Sequence, residues 1–77
     1  MVEILLELAP NDNWVSIWGI TESFNNKLQL HDQNKISGVA VGNILRLLGL
    51  KERKRIRLAT CCFIRRDILR QYKNEAL

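Results

Sequence analysis

The spacing of the apolar residues changes at Gly49, and this change restricts the fold more than any other feature of the chain. Before Gly49 the apolar residues Val41, Ile44, Leu45 and Leu48 recur every three or four positions, as they do on one side of a helix. After it, in residues 51–58, the side chains alternate with a period of two, which is typical of a strand. A helix that ends at a glycine and continues into a basic strand predicts an α+β domain.

The length and composition predict one small cytoplasmic domain over residues 1–77. A chain of 77 residues is near the lower limit for a single hydrophobic core without metals or disulfides. Its 47% apolar and 26% charged residues are ordinary for a globular protein. No apolar run reaches the roughly 20 residues of a membrane span. Glu3 and Glu7 lie where a signal peptide would carry basic residues, so we expect neither secretion nor membrane association.

The residues that catalysis or metal binding requires do not occur in suitable patterns. Cys61 and Cys62 are adjacent, a spacing that suits neither a disulfide nor a zinc pair, and His31, in a polar turn, is the single histidine. There is no glycine-rich phosphate loop and no nucleophile motif. We therefore expect a protein that is not an enzyme and has no metal or cofactor. The two cysteines are interpreted as small apolar residues of a strand.

Charge is divided unevenly between the two halves of the chain. Residues 1–34 carry five acids and one base, a net charge of −4, whereas residues 35–77 carry eleven bases and three acids, a net charge of +8. Such a division is typical of a protein that turns one face to a polyanion. The alternative is a basic surface that serves only solubility.

Helix and strand signals follow one another in a definite order. Helical spacing predicts helices over residues 2–9, 17–28, 37–48 and 65–75, with Ser16 and Ser37 as N-caps. Extended segments are expected at residues 14–17, 51–58 and 61–64, with a bend at residues 59–60. In the basic strand we expect an outer face formed by Arg53, Arg55 and Arg57. The opposite face, toward the core, would carry Ile56 and Leu58.

This order resembles that of the winged helix, the helix-turn-helix variant with a β hairpin as its wing. The resemblance rests on residues 41–50, on the basic residues that follow, and on residues 63–69 with Tyr72. The pattern is similar to small modules of phage, plasmid and archaeal replication proteins, including primase and helicase polypeptides. It implies an α+β, mainly α fold of order α-β-α-α-β-β-α, with a three-helix core and a small β hairpin wing.

The resemblance also implies a function, namely double-stranded DNA binding in replication or transcription regulation. Helix 37–48 would enter the major groove, and the basic wing 51–58 would lie on phosphates. By position, the residues facing bases would be Val39, Asn43 and Arg46, and the backbone contacts would be Lys51, Arg53, Lys54, Arg55 and Arg57. Asparagine matches adenine and arginine matches guanine in hydrogen bonding. Gly42, costly in a helix, indicates close approach by another helix or by a nucleic-acid backbone.

The two tryptophans support an alternative function. Trp18 falls outside the apolar stripe of Ile17, Ile20 and Phe24, and an exposed tryptophan is typical of protein interfaces. The alternative is a winged-helix accessory subunit that docks onto a DNA polymerase or replication factor through Trp14, Trp18 and the acidic first half. A homodimer is a third arrangement. If the last helix or the N-terminal segment covers Trp18, the argument from its exposure is lost.

Overall fold

The computed structural model describes residues 1–30 and 34–75, and the side chains of residues 1–30 and 34–72. It confirms a small α+β fold of four helices and a three-stranded antiparallel sheet, with about half of the chain helical. His31 lies outside the described residues. The elements are α1 (Val2–Leu8), β1 (Asn13–Ser16), α2 (Ile17–Lys27), α3 (Gly38–Leu47), β2 (Arg53–Ile56), β3 (Ala59–Ile64) and α4 (Arg66–Glu75).

Serine side chains begin the two central helices, as the sequence predicts. Ser16 Oγ accepts a hydrogen bond from the Gly19 N–H at 3.0 Å, and Ser37 Oγ accepts one from the Ala40 N–H at 3.1 Å. Each bond satisfies a backbone donor that the first turn of a helix leaves free. Of the helices that the structure describes, none is long and apolar enough to cross a lipid bilayer.

Residues with positive φ end the same two helices. Gly49 has a φ of 95°, and its N–H donates to the Arg46 carbonyl at 3.0 Å while the Leu50 N–H donates to the Leu45 carbonyl at 2.9 Å. This pair of bonds is a Schellman motif, and it turns the chain from α3 toward the sheet. Gln29 occupies the corresponding position after α2 with a φ of 55°.

The buried side chains come from all four helices, from β3, and from the connections that follow α1 and α3. Fully buried positions include Leu5, Ile20, Val41, Leu45, Leu50, Cys62, Ile64 and Leu69. Both cysteines are buried in β3 with free thiols, in agreement with their interpretation as small apolar strand residues.

The sheet has the strand order β1-β3-β2, so that β3 is central and β2 is an edge strand. A two-residue turn, Arg57 and Leu58, joins β2 to β3, and Arg57 has a φ of 57°. The predicted bend at residues 59–60 is wrong because Ala59 and Thr60 already belong to β3. Arg57 itself supplies the positive φ that a two-residue hairpin turn requires.

The orientation of β2 is opposite to the prediction. Arg53 lies opposite Cys62, and side chains paired across antiparallel strands share a face, so Arg53 lies on the buried face of the sheet. Ile56 is on the other face and 38% exposed, and Leu58 is in the turn and 90% exposed. Alternation defines two faces of a strand, but the pairing with β3 decides which one is buried.

A buried asparagine holds the start of the segment that leads into α3. Asn25 is 4% exposed; its Oδ1 accepts a hydrogen bond from the Ile36 N–H at 2.9 Å, and its Nδ2 donates to the Ile36 carbonyl at 3.2 Å. The two bonds satisfy both backbone groups of one residue and fix the position of α3 against α2. This sequence position carries no signal beyond a polar residue in a helix.

Candidate nucleic-acid interface

Three side chains form one exposed strip along α3. Val39 is 78% exposed, and Asn43 and Arg46 are also exposed. Residues spaced by three and four lie side by side on a helix, so these three, here called the α3 strip, can contact one ligand together. Leu47, four residues after Asn43, is 82% exposed and extends this surface with an apolar group that the sequence analysis did not include.

Gly42 leaves a gap in the side chains along the α3 strip. A Cβ atom placed at Gly42 would have no heavy atom of the described residues within 4 Å. Packing against another described helix therefore does not account for this glycine, although glycine costs about 1 kcal/mol in a helix relative to alanine. A side chain at this position would thus meet open space, whereas the Gly42 carbonyl accepts a hydrogen bond from Arg53.

Arg53 joins the hairpin to α3 and is half-buried. Its Nη1 donates to the carbonyls of Leu50 at 2.7 Å and Glu52 at 3.2 Å, and it lies 3.0 Å from Cys62 Sγ. Its Nη2 donates to the Gly42 carbonyl at 3.1 Å. The prediction of an outward-facing Arg53 is wrong, because its guanidinium satisfies acceptors inside the protein. The Nη1 donors of Arg53 are thus occupied within the protein.

The Cys62 thiol stays neutral beside this guanidinium. Burial raises the pKa of Cys62, and the positive charge of Arg53 acts in the opposite direction. The sulfur accepts from Arg53, and it also lies 3.7 Å from the Leu50 carbonyl, to which the S–H can donate. The group therefore serves packing and hydrogen bonding at the base of the hairpin.

The other four predicted backbone contacts are all exposed, namely Lys51, Lys54, Arg55 and Arg57. They do not share one face. Lys54 lies over Trp14, with its Nζ 5.8 Å from the ring centre, on the outer side of the sheet. Arg55 lies on the same face as Arg53, and Arg57 occupies the turn. The hairpin is thus cationic on both sides and at its end.

Trp14 and Trp18, the predicted partner-binding residues, differ in their surroundings. Trp14 is half-buried and packs edge to face on Phe63, with ring centroids 5.2 Å apart. Trp18 is 72% exposed, so neither the N-terminal segment nor the described side chains of the last helix cover it. Of the two rings, only that of Trp18 presents a large surface to a ligand.

A groove lies between the first turn of α2 and the end of the hairpin. We call it the tip groove; it has a volume of about 590 Å³, and its lining includes Ile17, Trp18, Ile56, Arg57 and Leu58. Neither Ile56 nor Leu58 was predicted as a site residue, since both were expected in the core. Their grouping with Trp18 depends on how α2 packs against the sheet, which no local sequence pattern reveals.

The tip groove adjoins the start of α3. A Cβ atom at Gly38 would lie 3.9 Å from Ile17 Cγ2 and 3.9 Å from Thr21 Oγ1, so the first turns of α2 and α3 are in contact. Neither first turn contains an acidic residue. Since a helix N-terminus carries a partial charge of roughly +0.5, this region favours anions.

The acids of α1 lie at the far end of α2. Lys27, the last residue of α2, forms an ion pair with Glu7 at 2.9 Å. The hydrogen bond to Glu7 raises the pKa of Lys27. Eleven residues of helix span about 16 Å, which separates these charges from the tip groove. Glu22 is nearer, one turn after Trp18, and is half-buried.

The predicted site residues therefore form three groups. The α3 strip begins one residue after Gly38, which lies beside Ile17 of the tip groove, and Arg57 is the hairpin cation that lines that groove. Trp14 packs within the protein, and Arg53 is held by internal hydrogen bonds beside the α3 strip, where its Nη2 donates to the Gly42 carbonyl. Comparison with protein-family models, with curated proteins and with solved structures found no match to this chain.

Proposed function

We propose that this chain is a non-enzymatic winged-helix protein that binds double-stranded DNA. The observation that carries the proposal is the exposed α3 strip, which has a gap at Gly42 that no described residue fills, next to a cationic hairpin. The element order and the strand order β1-β3-β2 support the winged-helix assignment. The role we propose is in DNA replication or transcription regulation in the cytoplasm.

The side chains of α3 and those of the hairpin have different roles in the proposed binding. The major groove, about 12 Å wide, admits one helix, and Asn43 and Arg46 carry the donors and acceptors that match adenine and guanine. Gly42 lets the helix backbone approach the DNA closely. Arg55 and Arg57 attract phosphates, and since only a few side chains face bases, phosphate contacts supply most of the affinity.

The test is fluorescence anisotropy with a labelled random duplex across a series of salt concentrations. The logarithm of the binding constant should fall linearly with the logarithm of salt, with a slope of about −0.9 per phosphate contact. Arg55→Ala and Arg57→Ala should each reduce the magnitude of that slope by about 0.9. A protein that does not bind the duplex at low salt overturns the proposal.

Arg70→Ala is the matched control for this series. Arg70 is exposed on α4, beside Pro10 and Asp12 and away from the hairpin, so its loss removes the same charge elsewhere. It should leave the slope unchanged. Equal effects of Arg70→Ala and Arg55→Ala would show that net charge, not the hairpin, determines binding.

A second candidate function is that of an accessory subunit which docks onto a protein such as a DNA polymerase or replication factor. The observation that favours it is the exposure of Trp18, 72%, beside Leu58, 90% exposed. Exposed aromatic and aliphatic groups in a cluster are common anchors of protein interfaces. Trp18→Ala should then abolish capture of the partner in a pull-down, and capture unaffected by this change would exclude Trp18 as the anchor. Light scattering tests for a homodimer.

A further inference from the structure

The tip groove has the form of a binding site for a flat ring. Trp18 and Leu58 are among the most exposed large apolar side chains of the described residues, and both line this one groove. Ile17 and Ile56 add to its apolar lining. A volume of about 590 Å³ is within the range of sites that hold small molecules. The groove can therefore hold one planar group against the indole.

The indole of Trp18 is free to stack on a ligand. Within the described part of the chain, the one aromatic pair is Trp14 with Phe63, on the outer side of the sheet. The ring that takes a cation over its face is likewise Trp14, with Lys54. Trp18 takes part in neither contact, and its 72% exposure leaves most of the ring surface in water.

Charge around the groove favours a ligand with an anionic backbone. Arg57 lines the groove, and residues 53–64 contain no acid. The first turns of α2 and α3 add positive partial charge at the other side. Glu22 lies one turn beyond Trp18, which disfavours a phosphate there but not a neutral ring.

The continuity of the surface selects nucleic acid over an acidic peptide as the occupant. Ile17, which lines the groove, lies beside Gly38, the first residue of α3, and Val39 of the α3 strip follows Gly38. A strand that leaves a duplex held by α3 and the hairpin therefore reaches Trp18 without any further binding surface. Stacking of a base on an aromatic side chain is worth about 1–3 kcal/mol and tolerates any base.

We propose that the tip groove binds an unpaired nucleobase, stacked on Trp18 beside Leu58. The protein accordingly binds a duplex with an adjoining single strand more tightly than a continuous duplex. This inference rests on the proposed DNA-binding function, whose contacts place the single strand at the groove.

The experiment compares three labelled ligands in anisotropy titrations at one salt concentration: a blunt duplex, the same duplex with a short single-stranded overhang, and the same duplex with an abasic overhang. The abasic overhang has the same phosphates but no bases. The protein should bind the overhang with bases at least about fivefold more tightly than the abasic one, as expected for one stacked base. Trp18→Ala should remove this preference and leave binding to the blunt duplex unchanged.

Trp14→Phe gives an independent optical signal. It keeps an aromatic ring against Phe63 and leaves Trp18 as the only tryptophan of the chain. Its fluorescence should be quenched by the overhang with bases and not by the abasic one. Trp18→Phe, which keeps a smaller ring, should retain part of the preference even if Trp18→Ala alters the fold.

The possible results separate this inference from the proposed function. If the blunt duplex binds with the expected salt dependence but bases in the overhang add no affinity, the stacking site is refuted and duplex binding stands. If no DNA binds, both fail. If the quenching of Trp18 fluorescence depends only on protein concentration, the groove binds a second copy of the chain. If an acidic peptide quenches Trp18 and DNA does not, the groove binds a protein partner. Either outcome overturns the inference.

Discussion

Replacement of Arg53 by alanine should destabilise the fold without weakening the salt dependence of DNA binding. Arg53 lies in the basic segment, where composition alone predicts a surface cation. In the structure its guanidinium instead joins the middle of α3, the connection between α3 and β2, and the central strand β3, through Gly42, Leu50 and Cys62. The change therefore removes internal hydrogen bonds and not a phosphate contact.

The expected loss of stability in Arg53→Ala follows from the hydrogen bonds of the Arg53 guanidinium. The bonds to the Leu50 carbonyl at 2.7 Å and the Gly42 carbonyl at 3.1 Å join separate segments of the chain. Each contributes about 1 kcal/mol net, so their loss costs about 2 kcal/mol. The contacts with the adjacent Glu52 carbonyl and the thiol add less. For a domain of this size, 2 kcal/mol lowers the melting temperature by roughly 8–16 °C.

Urea and thermal unfolding followed by circular dichroism measure the loss, with Arg55→Ala as the matched control. Arg55 is two residues away on the same face of the same strand and is exposed, and its side chain makes no hydrogen bond to the residues described. We expect its replacement to change the unfolding free energy by less than about 0.5 kcal/mol. Arg53→Lys should be intermediate, because one ammonium cannot reach every acceptor of the planar guanidinium.

Equal stability of Arg53→Ala and Arg55→Ala would refute this reasoning. So would a reduction of the salt slope by Arg53→Ala, measured at a temperature where the variant is folded, since that result would mean that Arg53 contacts phosphate in the complex.

Three further predictions concern stability. Arg57→Gly and Gln29→Gly, at positions where φ is 57° and 55°, should each raise the unfolding free energy by about 0.5 kcal/mol, because glycine adopts positive φ without steric cost. Urea unfolding measures this change, and a loss of stability would contradict the backbone geometry. Asn25→Leu should cost about 3 kcal/mol, since it leaves the N–H and C=O of Ile36 without their partners, and Asn26→Leu at the next, exposed position is its control. Because burial raises the pKa of the Cys62 thiol above its ordinary 9.0, the unfolded chain loses this proton first as pH rises. The unfolding free energy should therefore be unaffected by this group below about pH 8.5 and fall above it, and the fall should be shallower in Cys62→Ala.

The helices could be predicted from the sequence because their ends depend on near neighbours. Ser16 and Ser37 accept hydrogen bonds from amides three residues later, and Gly49 supplies a positive φ at the end of α3. Such signals need no knowledge of the rest of the fold. The exposure of Trp18 also followed from local spacing, since it lies outside the apolar stripe of α2.

The hairpin was less predictable because its orientation is set by a distant partner. Ile56 and Leu58 are the apolar residues of the segment, so a reader of the sequence expects them to be buried. The pairing of Arg53 with Cys62 instead turns the face that carries Arg53 toward the core. The turn was missed since Arg57, which adopts a φ of 57°, is not a typical turn residue. The tip groove depends on the orientation of β2 and on the position of the turn, so it was not predicted either.

The position of β2 at the edge of the sheet affects how the chain behaves in concentrated solution. Three of its four residues are cationic. Lysine and arginine on an edge strand oppose pairing with the edge of another copy, because the like charges would meet. A polyanion neutralises that repulsion. With a net charge of +4, the chain should stay dispersed when free or when DNA is in large excess, and should form mixed aggregates most readily where the phosphates just balance its charge.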